Sequence, residues 1–320
     1  MADRPLGRIA FLLFLFAAIE TALGQGVLTY KKRDPSQIPV AVQLKRSVVQ
    51  IELTCKQGQA DSHFGGTGFL VSYPDPKLPP NSMFQYLVTN RHVAECWNEK
   101  HQPQTVTSLA IRANTSDGRA KLISKNPSDW RFLSDPSIDL AAMPILMPSE
   151  IQAVSFPINS FATRDYLSTN VIAEGSPIIV AGYFYQFPGE KKSEAIVRQG
   201  ILSMMPDEPM MTTTGKPGNV YLGDVHIFGG NSGSPVLVAG DVLAMDGYRL
   251  VGIVSGYYFE DSDFNLEIST TVHGTSHGNS GIAMIVPVDY LKALLDDPPL
   301  KAPRDAYLSQ IPTPSLANQK

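Results

Sequence analysis

The sequence predicts an all-β protein of antiparallel strands with one helix near its C-terminal end, and three features of the chain predict it. Eleven short apolar runs rich in Val, Ile, Tyr and Phe are set apart by Gly, Pro, Asn and Asp, the composition of pleated strands and their turns. The segments between these runs carry no helical period, which excludes a parallel α/β sheet and leaves barrels or sandwiches as the closed solutions. No fixed-length repeat recurs, which disfavours a propeller. At 320 residues and 43% hydrophobic content, the chain can fill a sizeable core.

Taken in order, the chain opens with Arg4 and Arg8 ahead of an apolar run, IAFLLFLFAAI, and with Ala22 and Gly24 as small residues at its exit. This reads as an export signal over residues 1–24, cleaved before Gln25; the alternative is an uncleaved anchor, although the run is short for a bilayer crossing. The strand-like runs then follow as VVQIELT (48–54), TGFLVSY (67–73), FQYLVTN (84–90), LAIRA (109–113), DLAAMPI (139–145) and PIIVAGYF (177–184). They continue as AIVRQGILSMM (195–205), VYLGDVHIF (220–228), PVLVAG (235–240), RLVGIVSGYYF (249–259) and GIAMIVPV (281–288). YPDPKLPPNSM (73–83) is a Pro-rich exposed insert between two strands. DYLKALLDD (289–297) puts Tyr290, Leu291, Leu294 and Leu295 on one helical face before Pro298 and Pro299 stop it. Residues 298–320, Pro-rich and without apolar period, read as a flexible tail.

Composition narrows the function classes. A net charge of −4 gives no basic field for phosphates and no Lys/Arg run suggests a nucleic-acid groove, so nucleic acid is not an expected partner. Beyond the leader no segment is long and apolar enough for a membrane pass. The histidines His63, His92, His101, His226, His273 and His277 show no metal-ligand spacing, and neither a metal nor a cofactor is expected. Cys55 and Cys96 lie in the exported part of the chain, where they can form a disulfide or pack as two buried thiols; spacing alone does not choose. Asn114-Thr115-Ser116 is a glycosylation sequon.

The tetrapeptide GNSG occurs twice, in GGNSGSPVL (229–237) and SHGNSGIAM (276–284), and a serine between glycines can be a nucleophile. Such a serine needs a base to take its proton, an acid to orient the base, and backbone N–H donors where the oxyanion forms. Three stretches supply those parts: VTNRHVAEC carries His92 just after a strand, SIDLAAMPI carries Asp139 at the start of another, and GGNSGSP carries Ser232 in a glycine turn. Each alone is more often a surface histidine, a turn-forming aspartate or a common turn. Their occurrence in this order reverses that reading.

GTGFLV, TNRHV, DLA and GNSGSPV, followed by LVGIVSG and GIAMIVPV, resemble the ordered motifs of trypsin-like serine peptidases, nearer in motif to the HtrA-type branch than to the digestive enzymes. The resemblance covers roughly residues 40–297. It implies two six-stranded antiparallel β-barrels of the chymotrypsin type within a domain spanning 25–297, the halves meeting near 150–170, and a C-terminal helix. It implies an extracytoplasmic endopeptidase, secreted or periplasmic, acting on proteins or peptides through an acyl-enzyme. Ser232 is the implied nucleophile, His92 the base, Asp139 the acid, and the N–H groups of Gly230 and Ser232 the oxyanion hole. Ser255 is the implied support of the acid. Ser280 is the weaker nucleophile, because too few strands follow it and its turn continues into IAM; it reads as a loop serine entering the last strand.

Departures from the family pattern carry their own implications. Asn231 stands where activated digestive relatives have an aspartate that pairs with a new N-terminus, so activation by chain insertion is not expected. Ser234 replaces the usual second glycine, adding a side chain near the turn. The implied primary pocket, lined by His226, Ser255, Gly256, Tyr257 and Gly281, lacks an acidic partner for Arg or Lys; Tyr257 either narrows the entrance toward apolar side chains or is a packing residue. The residues after 297 are too few for a PDZ domain, so the family's regulated quality control and trimeric assembly are not carried over. The rival reading is a catalytically silent barrel that binds extended peptides outside the cytoplasm. An esterase on another fold ranks below both, because FGGNSGSPV runs into a strand-like segment rather than a helix.

Overall fold

The computed structural model describes residues 39–57, 60–97, 102–170, 172–239, 247–267 and 271–311; the export-signal segment lies outside them. In its first half α1 (Val40–Ser47) leads into β1 (Val48–Gln57), β2 (Ala60–Tyr73) and β3 (Phe84–Thr89). The one-turn helix α2 (Arg91–Ala94) follows, then β4 (Cys96–Trp97), β5 (Pro103–Gln104), β6 (Val106–Asn114), β7 (Ala120–Lys125), β8 (Ala141–Pro144) and β9 (Ser155–Pro157). The second half holds α3 (Arg164–Thr169), β10 (Pro177–Tyr183), β11 (Ala195–Met204), β12 (Met210–Met211), β13 (Pro217–Gly218), β14 (Tyr221–Asp224) and β15 (Pro235–Ala239). It ends in β16 (Tyr248–Glu267), β17 (Thr271–Pro287), α4 (Val288–Asp296) and α5 (Pro298–Gln310).

The protein is all-β in architecture, as the strand-like runs predict. The second half is a closed six-stranded barrel, β10-β11-β14-β17-β16-β15. The first half is a seven-stranded sheet in the order β7-β6-β1-β2-β3-β8, with β9 added to β2 in parallel where the chain leaves for the barrel. Every one of the eleven apolar runs is a strand. The strands without such a run, β4, β5, β7, β9, β12 and β13, are two- or three-residue pairings or, in β7, a largely exposed edge whose polar residues carry no burial signal.

Burial sorts into three apolar clusters. One fills the first sheet around Ile51, Leu87, Ile111 and Trp130. A second fills the barrel around Leu202, Val236, Val251 and Ile285. The third joins the halves: Phe69, Val71, Tyr86 and Val88 of the first sheet meet Ile179, Leu237, Ile253 and the C-terminal helices. At roughly 1.5–3 kcal/mol per fully buried large aliphatic side chain, this shared core fixes one half against the other and so fixes any site built between them.

Two expectations are corrected. Residues 298–310 are not a flexible tail but α5, because Leu300, Arg304 and Leu308 repeat at helical spacing and bury one face. Pro298 sits at the first helical position, where its missing N–H is no loss, and burial outweighs the interior Pro303. Arg304 is only 4% exposed; its guanidinium lies 3.8 Å from the Tyr73 ring and donates to Tyr86 Oη and Leu295 O, both at 2.9 Å. Ser280 is not in a loop: β16 and β17 pair as a long hairpin out to Glu267 and Thr271, and Ser280 lies within β17. Its polar pattern hides the strand, because a hairpin that leaves the barrel needs no apolar alternation.

Cys55 of β1 and Cys96 of β4 are bonded through their Sγ atoms, with Cα atoms 5.9 Å apart. Asn114 spends its amide on Ser193, donating to its carbonyl at 2.9 Å and accepting its N–H at 2.8 Å, so a glycan on Nδ2 would displace a bond between the halves.

Candidate active site

Strand pairing brings together residues distant in sequence. Thr89 at the end of β3 pairs with Ala141 at the start of β8, so the segments just beyond those ends, carrying His92 and Asp139, lie side by side. Asn90 begins the α2 turn, its carbonyl accepting from the N–H groups of Val93 and Ala94. Its side chain donates to Asp139 O at 2.9 Å. Val93 and Ala94 are buried in the first sheet's cluster and Cys96 is bridged to β1, so the backbone carrying His92 is held on three sides.

Asp139 is 2% exposed and its carboxylate is surrounded by donors. Oδ1 accepts the His92 backbone N–H at 3.0 Å. Oδ2 lies 2.7 Å from His92 Nδ1, 2.6 Å from Ser255 Oγ and 2.9 Å from Thr213 Oγ1. Burial opposes its ionisation, but the His92 charge and the hydrogen bonds from His92 and Ser255 hold its pKa at about 2. An ionised carboxylate only accepts, so Nδ1 of His92 carries a proton and Nε2 of the neutral ring presents a lone pair. The imidazole is 42% exposed. Burial works to lower its pKa, and the charge and hydrogen bond of Asp139 outweigh it, so the pKa is raised.

Ser232 lies in the tight turn between β14 and β15. Asn231, buried beneath it, accepts the Phe228 N–H on Oδ1 at 2.9 Å and donates from Nδ2 to Tyr183 O at 2.9 Å. The turn is thus braced by a neutral amide with neutral partners. Thr67 of β2, fully buried, ties it to the first sheet: its N–H donates to Ser232 O at 2.9 Å and its hydroxyl to Gly230 O at 2.7 Å. Gly233 has φ +85°, and a Cβ there would stand 1.9 Å from Thr67 O, so no other residue fits. Gly229 O accepts the Tyr185 N–H at 3.1 Å, and because a trans peptide sets its C=O and N–H on opposite sides, the Gly230 N–H faces the other way. Among the described residues, neither the Gly230 nor the Ser232 N–H donates within the protein. Ser232 Oγ itself donates to Ser255 O at 3.4 Å, a long contact.

The chain matches the trypsin-like peptidase domain family over residues 66–245, a span that contains His92, Asp139 and Ser232 and stops before Ser280. It belongs to that family. Among solved structures the chain is similar to the HtrA-type protease AlgW with tripeptide, at a TM-score of 0.47 and 17% identity, covering 81% of this chain and 63% of that one. It is also similar to Deg5, at 0.44 and 18%, covering 79% of this chain and 88% of that one. No curated protein matches.

The remaining expected site residues are placed unevenly. Ser255 links both ends of the site, its hydroxyl on Asp139 and its carbonyl on Ser232. His226 packs over Gly281, where a Cβ would meet its ring at 3.3 Å. Tyr257 packs on the barrel core and on Phe259, 5.0 Å between ring centroids. Gly256 lies under Thr213, whose methyl is 2.6 Å from where a Cβ would be. Ser280 is occupied: its Oγ donates to Tyr258 O at 2.8 Å. Ser234 is fully buried, its Oγ set against Gly182 of β10 with no hydrogen-bond partner among the described residues.

Sequence reasoning does not reach Thr67 or Thr213. Thr67 stands inside GTGFLV, where a polar residue in an apolar strand is the available signal. Thr213 is one of three successive threonines in the β12–β13 connection, and nothing in that run distinguishes it. Beside His92 and Asp139 the structure opens a cleft of about 1030 Å³, its lining including Phe64, Trp97, Thr213 and Thr214. Among the described residues, no group of His, Cys, Asp and Glu is arranged to hold a metal ion.

Proposed function

We propose that the protein is a serine endopeptidase that cleaves proteins or peptides outside the cytoplasm through an acyl-enzyme on Ser232. The observation that carries the reading is the buried Asp139 carboxylate, 2.7 Å from Nδ1 of the partly exposed His92, in a chain whose family match spans both residues and Ser232. In the proposed reaction Ser232 Oγ attacks the scissile carbonyl while His92 Nε2 takes its proton. Asp139 holds the tautomer and stabilises the imidazolium. The Gly230 and Ser232 N–H groups receive the oxyanion, and loss of one such donor costs roughly 10²–10³ in turnover. In this reading Ser232 Oγ leaves its long contact with Ser255 O for His92, since catalytic hydrogen bonds are often long without substrate and tighten when it arrives.

The braced Asn231 supports a turn formed without a new N-terminus, so the expected enzyme needs no zymogen cleavage. An extracytoplasmic location is supported by the export-like leader and by the Cys55–Cys96 bridge, since disulfides persist in oxidising compartments. Among the described residues no helix is long and apolar enough to cross a membrane.

The test is reaction of the purified protein with a fluorophosphonate probe, the adduct located by peptide mass mapping. An adduct on Ser232 is expected, absent in Ser232→Ala and retained in Ser280→Ala. The contact of Ser232 with Ser255 rather than His92 favours one rival, a silent peptide-binding barrel, which requires a folded protein that the probe leaves unlabelled.

A further inference from the structure

Three donors converge on one oxygen of Asp139, which has two lone pairs: His92 Nδ1, Ser255 Oγ and Thr213 Oγ1. Distances resolve the excess. Ser255 Oγ is 2.6 Å from Oδ2, whereas Thr213 Oγ1 is 2.9 Å from Oδ2 but 2.5 Å from Ser255 Oγ. Each hydroxyl has one proton, and the shortest path spends them in series, Thr213 O–H on Ser255 Oγ and Ser255 O–H on Asp139. Thr213 reaches this point because its connection between β12 and β13 is pinned over the acid. Thr212 folds back on Lys216 through both its N–H (3.0 Å) and its hydroxyl (2.8 Å), and Tyr258 Oη donates to Met211 O at 3.3 Å. The Thr213 methyl lies on Gly256, so the side chain is held from both ends.

We propose that Thr213 is a positioning residue: through the relay Thr213 to Ser255 to Asp139 it fixes the Ser255 proton on Oδ2 and so sets the share of that carboxylate's charge left for His92. The inference rests on the proposed triad. A hydroxyl that accepts a hydrogen bond becomes a stronger donor, so Thr213 strengthens the Ser255 bond to Oδ2 and draws charge away from the His92 side. Removing the Thr213 hydroxyl leaves Ser255 a weaker, rotatable donor and leaves more charge on Oδ2, which favours imidazolium. The other charged groups lining the same cleft are Arg91, Glu95 and Lys216; Arg91 and Glu95 pair with each other at 2.9 Å. All three are retained in the test.

The test is titration of the His92 imidazole by NMR in the histidine-labelled full-length protein, comparing wild type, Thr213→Val, which keeps the methyl packing, and Thr213→Ser, which keeps the hydroxyl. Thr213→Val is expected to move the His92 midpoint upward by about 0.3–1 pH unit, and Thr213→Ser to restore it. A midpoint unchanged in Thr213→Val, or equally displaced in both variants, overturns the relay. Fluorophosphonate labelling of the same samples separates the two claims. A shift restored by serine in a protein that the probe does not label upholds the relay and removes the peptidase reading, and a labelled protein without the shift does the reverse.

Discussion

At the residue scale the pH behaviour follows from one buried carboxylate. In the proposed reaction His92 acts as a base only when neutral, and its pKa is raised by Asp139, so the acid limb of the rate profile is expected at a midpoint above the ordinary histidine value of about 6.5. Activity present above that midpoint is lost as pH falls through it; kcat/KM against pH on any cleaved peptide measures it. Asp139 has the opposite sign. Its folded pKa is depressed to about 2, so its contribution to stability is present above the ordinary aspartate value of about 3.9 and lost as pH falls toward 2. Asp139→Asn is expected to leave a folded protein whose turnover falls by roughly 10⁴, since a neutral amide stabilises neither the tautomer nor the cation. These candidate residues are legible in the sequence because the proposed chemistry permits few types at each position. Thr213 is not, since a hydroxyl gains its role from what the fold places within 3 Å of it.

At the element scale, the turn that presents Ser232 depends on β10. Ser234 occupies the space that a side chain at residue 182 would need: a Cβ there would lie 2.0 Å from Ser234 Oγ and 3.1 Å from both Asn231 Nδ2 and Thr67 Oγ1. Serine in place of the family's glycine is therefore accommodated by a glycine on the facing strand. Gly182→Ala is expected to cost about 1–3 kcal/mol in denaturant unfolding and to slow probe labelling of Ser232, and Ser234→Gly in the same chain to recover most of both. No reading of the turn alone finds this compensation, because the two positions are 52 apart. The Cys55–Cys96 bridge acts on the other side of the site, anchoring the turn that carries His92. Its loss in Cys55→Ala is expected to lower stability by about 2–5 kcal/mol, read as a drop in Tm that reductant reproduces in the wild type.

At the scale of the whole molecule, the site lies where the two halves meet, with His92 and Asp139 on the first sheet, Ser232 and Ser255 on the barrel, and Thr67 bonded across. The shared apolar cluster therefore bears on chemistry as well as stability. Leu300 of α5 belongs to that cluster at 2% exposure, and Arg304 on the same helix bonds Tyr86 of the first sheet. Leu300→Ala is expected to cost roughly 2–4 kcal/mol in thermal or denaturant unfolding, whereas a flexible tail would register no change.

What the sequence by itself determined is local: eleven strands from their apolar composition and the α4 helix from its period, while His92, Asp139 and Ser232 were singled out as candidates by motifs whose residue types the proposed chemistry restricts. Tertiary structure decided what depends on a partner. It made residues 298–310 a helix against their prolines, bonded Cys55 to Cys96, set Ser234 against Gly182, and brought the Thr213 hydroxyl to the acid. The reason is common to all four: burial, bond formation, clearance and hydrogen bonding are properties of pairs, and the pairing of distant residues is fixed only when the sheets close and the halves pack.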